Sequence, residues 1–225
     1  MGSLWHGDCS LPDIMNLTRL RTLRILLRPI AVLVAGVVWN ITSAEAQNIT
    51  LQLDPAHTIV KINLGASLHT VHGTFQLKSG TLQLDTASGK ISGAIVVDAK
   101  SGETANGSRD RKMHKDVLES ERYPEIVFRP DRVEGTVAAQ GKSAVKVHGT
   151  FSIHGADHEI MVPAEADIGA DHWSAHAHFT IPYEKWGIKN PSNLFLHVSD
   201  SVEIDITAEG SVTKALKSPA SGGGQ

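Results

Sequence analysis

The chain has 225 residues, of which 41% are hydrophobic and 20% are charged, and its formal net charge is −3. These values are ordinary for a globular protein, and all-β barrels of this length are commonly single domains. Setting aside the four basic and three acidic residues of positions 1–46 leaves a formal charge of −4. A mildly acidic surface argues against nucleic-acid binding.

The first 46 residues have the pattern of a secretory signal. Several arginines precede an apolar run, Ile30 to Trp39, and Ala44-Glu45-Ala46 follows it. A basic segment, an apolar segment and a small-residue cleavage site occur in this order in signal peptides. We therefore predict cleavage after Ala46 and a periplasmic or secreted location. Residues 1–14 are unusual ahead of such a signal, and we interpret them as an extension upstream of a translation start at Met15.

The predicted mature chain begins at Gln47. The apolar run of the leader is too short to cross a bilayer comfortably and no later run is longer, so we expect no stable membrane insertion after signal removal. The only cysteine, Cys9, lies in the leader, and the mature chain should therefore contain no disulfide. We assign residues 47–213 to one domain and the Ser- and Gly-rich residues 214–225 to a flexible tail.

Most of the mature chain alternates apolar and polar residues with period two, and Gly, Asp or Ser clusters separate the alternating segments. This pattern predicts antiparallel strands joined by tight turns. It is clearest where Val145, Val147, Gly149, Phe151 and Ile153 share one face. The predicted strands lie near residues 51–54, 58–64, 68–84, 90–98, 126–137, 143–154, 158–168, 172–182 and 198–211.

One segment has helical character. Asn106 or Ser108 can accept hydrogen bonds from the free N–H groups of a first helical turn, and the helix is predicted to end near Ser120. Met113 and Val117, four residues apart, place an apolar stripe on one side of it. Such a helix can cover one end of a barrel.

Each predicted strand has one apolar face, which must pack on a second sheet or line a closed barrel. A barrel of about eight strands can be filled by side chains or can hold one small ligand. Many inward positions carry small side chains and only 5% of the chain is aromatic, which favours an underfilled lumen. The predicted lumen-facing residues are Val147, Phe151, Val162, Ala164, Trp173, Ala175, Ala177, Phe179 and Ile204.

Arg109 and Asp110 lie at the predicted helix start, near one end of the barrel. Two interpretations remain open for this pair. It can cap the helix and form a salt bridge, or Arg109 can act with Lys112 at the barrel mouth to bind a phosphate or another polar head group. A guanidinium group suits the second role because it donates bidentate hydrogen bonds.

Histidines are numerous, and His172, His176 and His178 share one face of a predicted strand. Two imidazoles at i and i+2 could share a zinc or copper ion with a third donor from a neighbouring strand. Their parity is opposite to that of Trp173, so we favour a solvated outer position and predict no metal site. Because the mature chain also lacks a nucleophile elbow, a thiol and a glycine-rich phosphate loop, we expect neither enzymatic activity nor a cofactor.

Several motifs together resemble the YceI-like family over most of residues 51–210. Their order and spacing agree with the family pattern: an arginine–aspartate pair, a short helix and a strand that begins with Tyr-Pro. The residues that carry the resemblance are Leu53 to Thr58, Gly73-Thr74-Phe75, Arg109-Asp110, Leu118-Glu119-Ser120, Tyr123 to Phe128, Val147 to Gly155 and Trp186-Gly187-Ile188. The chain departs from the pattern at Asn63 to Ala66, where many members have a histidine, and at Pro182 or Tyr183, where an arginine is frequent.

The resemblance implies a lipocalin-like antiparallel barrel with a long apolar cavity and an association with polyisoprenoid chains. Our leading hypothesis is a periplasmic or secreted protein that carries an isoprenoid or fatty-acyl chain in its lumen without changing it chemically. The alternatives are a histidine-dependent metal-binding protein and a stress or adhesion module with a filled core. The sequence does not decide between a monomer and a homodimer.

Overall fold

The computed structural model describes residues 47–194 and 196–216. The predicted signal segment, residues 1–46, lies outside this range, as do Phe195 and residues 217–225. The predicted tail began at residue 214, but strand pairing continues to Leu216. Within the described ranges, the helical segment is too short to span a bilayer.

Nine strands and one short helical segment account for most of the described residues. The strands are β1 (Gln47–Leu53), β2 (Ile59–Gly65), β3 (Thr70–Asp85), β4 (Ile91–Glu103), β5 (Glu125–Glu134), β6 (Gly141–Ile153), β7 (Ala156–Ile168), β8 (His172–Ile181) and β9 (Val202–Leu216), and the helix α1 (Gly107–Lys112) lies between β4 and β5.

The strands close into a barrel in which β1 and β2 share one position. The first half of β3 pairs with β2 and its second half pairs with β1, and β9 divides in the same way. All pairs are antiparallel, and the β3–β4 pairing completes the ring. Nine strands therefore fill eight positions, and the predicted fold class, an antiparallel lipocalin-like barrel with one helical crossover, is confirmed.

The turn between β1 and β2 is held by the Asp54 carboxylate. It accepts a hydrogen bond from the Ala56 N–H at 2.9 Å and contacts His57 Nδ1 at 2.7 Å. The hydrogen bond and the charge of Asp54 raise the pKa of His57, and the same hydrogen bond lowers the pKa of Asp54. Pro55 has no N–H to donate to a ladder, which helps to interrupt the strand here.

The two ends of the barrel differ. At the end we call closed, the short turns 86–90, 135–140 and 169–171 join the strands, and Gln47 pairs with Leu216. At the opposite, open end lie the β2–β3 hairpin, the crossover that contains α1, and the long β8–β9 connection. Large buried side chains fill the closed half, among them Ile49, Leu51, Leu84, Ile168 and Trp173.

Asn106 caps α1, as one of the two predicted caps, because its side-chain oxygen accepts from the N–H groups of Ser108 and Arg109. The segment then continues as a π-helix from Met113 to Val117. The helical segment thus ends at Val117, three residues before the predicted end near Ser120. His114 helps to define the end, since its ring contacts the Gly102 carbonyl oxygen at 2.8 Å and the Ser120 hydroxyl at 3.1 Å.

Candidate functional site: an apolar cavity in the open half of the barrel

The open half of the barrel contains a cavity of about 450 Å³. Its walls are the inward faces of the strands, on which alternate residues point to the lumen, as Ile62 and Leu64 do on β2. Other strands contribute Phe75, Val97, Ile126, Phe151, Ile153, Phe179, Ile181, Val202, Ile204 and Ile206. These strand residues have no ionisable group, so the interior offers contacts mainly to an apolar guest.

The crossover and the β8–β9 connection cover part of the open end. Met113, Val117 and Leu118 line the cavity, which is the apolar stripe expected from the sequence. From the β8–β9 connection, Ile188 and Val198 line it and are buried. The cavity is therefore bounded by both regular strands and irregular chain.

The wall between β7 and β8 is incomplete at the open end. The two strands pair only where Ala164 to Ile168 face Ala177 to Trp173, and the next residue, Pro163, has no N–H to donate. Trp186 packs beside the unpaired part of β7: its ring stacks on His158 with centroids 4.1 Å apart and planes 4° apart. Trp186 also lies 5.9 Å from the Phe151 ring, so it closes the apolar surface at this side.

A polar network centred on Thr104 lies at the mouth. Arg109 donates from Nε to the Thr104 hydroxyl at 2.7 Å and from a terminal nitrogen to the Thr104 carbonyl oxygen at 2.5 Å. The Asp110 carboxylate accepts from the Thr104 N–H at 2.9 Å and from its hydroxyl at 2.5 Å. Thr104 is buried, so this network holds the crossover to the end of β4.

Both predicted head-group residues lie at this mouth. Arg109 and Lys112 line the cavity, and Lys112 Nζ also donates to the Pro191 carbonyl oxygen at 3.3 Å. Arg109 and Asp110 both bond Thr104, a structural role that differs from the helix cap and salt bridge considered from the sequence. A head-group role for Arg109 and Lys112 remains a prediction.

Tyr183 is the polar aromatic residue of the wall. Its hydroxyl donates to the Ser199 carbonyl oxygen at 2.5 Å, and the side chain is otherwise buried. Burial raises the pKa of Tyr183 to about 12, and the nearby carboxylates of Glu184 and Asp200 add to the shift. The hydroxyl thus stays protonated and ties the two ends of the β8–β9 connection together.

Of the nine predicted lumen residues, Phe151, Phe179 and Ile204 line this cavity. The other six do not line it, so this cavity gives no support to their predicted contact with a ligand. Val147, Trp173 and Ala175 pack in the filled closed half. Val162 is buried in the wall and Ala177 is half-buried. Ala164 lines a separate depression together with His176 and His178. Parity indicates which side chains point inward but not which half of the barrel is filled.

Sequence reasoning missed most of the cavity wall. Ile62 and Leu64 alternate with their neighbours within a predicted strand, and this alternation was sufficient to predict their inward position. Ile188, Leu196 and Val198 lie in the β8–β9 connection, where no periodic pattern exists to predict their position.

The three histidines considered as metal ligands lie on the outer face of β8. His176 and His178 each contact the Asp205 carboxylate, at 3.3 and 3.4 Å, and His172 contacts Asp171 at 3.1 Å. Among residues 47–194 and 196–216, no group of three or more histidine, cysteine or acidic side chains is arranged to hold a metal ion.

The barrel is similar to several solved structures. BcnA from Burkholderia cenocepacia and a polyisoprenoid-binding domain from Saccharophagus degradans, implicated in plant cell wall breakdown, each match with a TM-score of 0.58 and 17% identity. The matches cover 70% and 75% of this chain, respectively, and 99% of each of those chains. A YceI protein from Campylobacter jejuni matches with a TM-score of 0.51 and 20% identity, over 64% of this chain and 86% of the other.

At these identities the solved structures establish the fold alone. Among curated proteins, no relative matches the sequence. The model of the YceI-like domain matches residues 51–210, which span the barrel from β1 into β9. The chain belongs to the YceI-like family.

Proposed function

We propose that the protein binds a long apolar chain, of isoprenoid or fatty-acyl type, in the cavity at the open end and carries it without chemical change. The observation that carries this proposal is a cavity of about 450 Å³ whose walls are almost entirely aliphatic and aromatic. This volume lies within the roughly 300–1,000 Å³ of typical small-molecule sites. The polyisoprenoid-binding domain from Saccharophagus degradans shares the fold, which supports the same ligand class here.

Burial of methylene groups provides the affinity. Each buried methylene contributes about 0.8 kcal/mol, so a chain of several isoprene units can bind tightly with few polar contacts. Selectivity then depends on length and shape, while Arg109 and Lys112 at the mouth can meet a polar head group. We place this carrier in the periplasm or outside the cell, after removal of residues 1–46.

Native mass spectrometry of gently purified protein, followed by solvent extraction, tests the proposal. We expect a mass above that of the bare chain and an extracted apolar molecule. A bare-chain mass that persists after incubation with polyprenyl and fatty-acyl lipids would overturn the proposal, and the cavity would then be a loosely packed core.

A cavity-filling variant links the ligand to this site. Leu64 lies on β2 and lines the cavity while half-buried, so Leu64→Trp should expel the ligand and keep the fold. Ala175→Val is the matched control, because Ala175 packs in the closed half. Loss of the ligand from both variants would show that the bound molecule does not occupy the open-end cavity specifically.

A further inference from the structure

Two leucines beside the cavity mouth are exposed to solvent. Leu68 is 83% exposed and Leu194 is 96% exposed, the highest values among the large hydrophobic side chains of the described residues. Leu68 lies in the β2–β3 hairpin between Ala66 and His69, which both line the cavity. Exposed apolar side chains grouped at one place on a monomer commonly mark an interaction surface.

The two leucine-bearing segments are tied to each other. The Ser67 N–H donates to the His197 carbonyl oxygen at 2.9 Å, and the His197 N–H donates to the Ser67 hydroxyl at 3.1 Å. A bridge between Ala66 and Val198 continues this pairing. Leu194 stands at the tip of a turn in which the Asn193 N–H donates to the Leu196 carbonyl oxygen at 2.9 Å. The hairpin and the turn therefore form one rim beside the mouth.

The helix α1, which lies beside this rim, is basic, although the whole chain has a formal net charge of −3. The helix α1 brings Arg109, Arg111 and Lys112 to the open end, against one acid, Asp110, whose carboxylate is bonded to Thr104. The rest of the crossover, residues 113–124, adds two basic and three acidic residues, and the β8–β9 connection adds two lysines and two acids. Arg111 and Lys112 are exposed. Lys112 Nζ donates to the carbonyl oxygen of Pro191, which lies just before the turn that carries Leu194.

We infer that Leu68 and Leu194 dock the open end of the barrel onto an anionic lipid bilayer. Apolar side chains that enter the interface, together with neighbouring cations, are the elements of reversible membrane binding. The choice of a bilayer rests on the proposed function, because an apolar chain can then pass between membrane and cavity without crossing water. Two leucines and a few cations give weak, salt-sensitive binding, which allows the carrier to leave the surface again.

Vesicle cosedimentation tests this inference on protein purified from cells that express the full sequence. Wild type should sediment with phosphatidylglycerol-containing vesicles, less with pure phosphatidylcholine vesicles, and less at high ionic strength. The double variant L68S/L194S should bind at least tenfold more weakly. Met161→Ser is the matched control, because Met161 is an exposed hydrophobic residue on the outer wall of β7 and its loss should leave binding unchanged.

Three outcomes would overturn the inference: no sedimentation of wild type, equal binding by L68S/L194S, or equal loss in Met161→Ser. Light scattering examines the competing occupant, a second copy of the chain. A wild-type dimer that L68S/L194S converts to a monomer, without vesicle binding by either, would assign the leucines to self-association. Membrane docking and ligand binding are tested by separate measurements. Leu64→Trp should lose the extracted lipid and still sediment with vesicles.

Discussion

The backbone of Gln52 occupies the space that a Cβ atom on Gly210 would need. Leu53 of β1 pairs with Gly210 of β9 at this point, and the Trp173 indole N–H donates to the Gln52 carbonyl oxygen at 3.3 Å. The absence of a side chain at position 210 thus allows β1 to complete the ring position that it shares with β2.

Gly210→Ala should therefore destabilise the barrel. The added methyl group must push β1 away from β9, and overpacking of this kind costs about 1–3 kcal/mol. Thermal unfolding followed by circular dichroism should show a lower midpoint, by roughly 2–4 °C for each kcal/mol. Gly65→Ala is the control, because a Cβ there meets its nearest neighbour, Ser199 Cβ, at an ordinary 3.6 Å. Equal midpoints for the two variants would contradict this account.

Arg109→Lys should separate the structural from the ligand-binding role of the mouth arginine. Lysine cannot reproduce the two bonds that Arg109 makes to Thr104, and hydrogen bonds to charged groups contribute about 1.5–3 kcal/mol. We expect lower stability in chemical denaturation. If the variant keeps its extracted lipid in normal yield, Arg109 acts on the crossover alone. A loss of lipid without a loss of stability would instead assign it to a head group.

Alkaline titration should detect the ionisation of the Tyr183 hydroxyl. Its raised folded-state pKa means that the stability associated with its protonated hydroxyl is fully present below the ordinary tyrosine pKa and is lost as pH rises through about 12. Phenolate absorbance should contain a component that titrates near pH 12 and that disappears in Tyr183→Phe. If that component persists in the variant, it belongs to another group.

The Asp54–His57 pair makes a further prediction about pH. The hydrogen bond to Asp54 raises the pKa of His57, so any stability from the charged ring is present below the ordinary histidine pKa and is lost as pH rises through the raised value. Both side chains are exposed, and we expect a small effect on stability. NMR titration of His57 should give a raised pKa in wild type and a lower one in Asp54→Asn; an unchanged value would show that the pair does not form.

The sequence predicted the barrel because alternation is local. On β6, Phe151 and Ile153 are buried while Ser152 between them is not, as period-two patterning requires. Ring closure is different, since the division of one position between β1 and β2 depends on contacts of both with β3 and β9, which are distant in sequence. No local pattern carries that information.

The cavity was harder to predict than the fold. Trp173 and Phe179 have the same parity on β8, yet Trp173 packs in the closed half and Phe179 lines the cavity. The two side chains have different surroundings because different residues face them across the barrel and because they lie at different distances from the closed end. The residues of the β8–β9 connection, such as Ile188, reach the cavity along an irregular backbone path. Hydrogen bonds of the folded protein hold this path, and no sequence pattern indicates it.

The pairing of Gln47 with Leu216 has a consequence for protein engineering. Since these residues are partners in one ladder at the closed end, a short linker could join them and new termini could be opened in the turn at residues 86–90. Such a circular permutant would keep the order of strands around the ring. It would also place both new ends at the closed end, away from the cavity, so fused reporters or surface tethers would leave the mouth free.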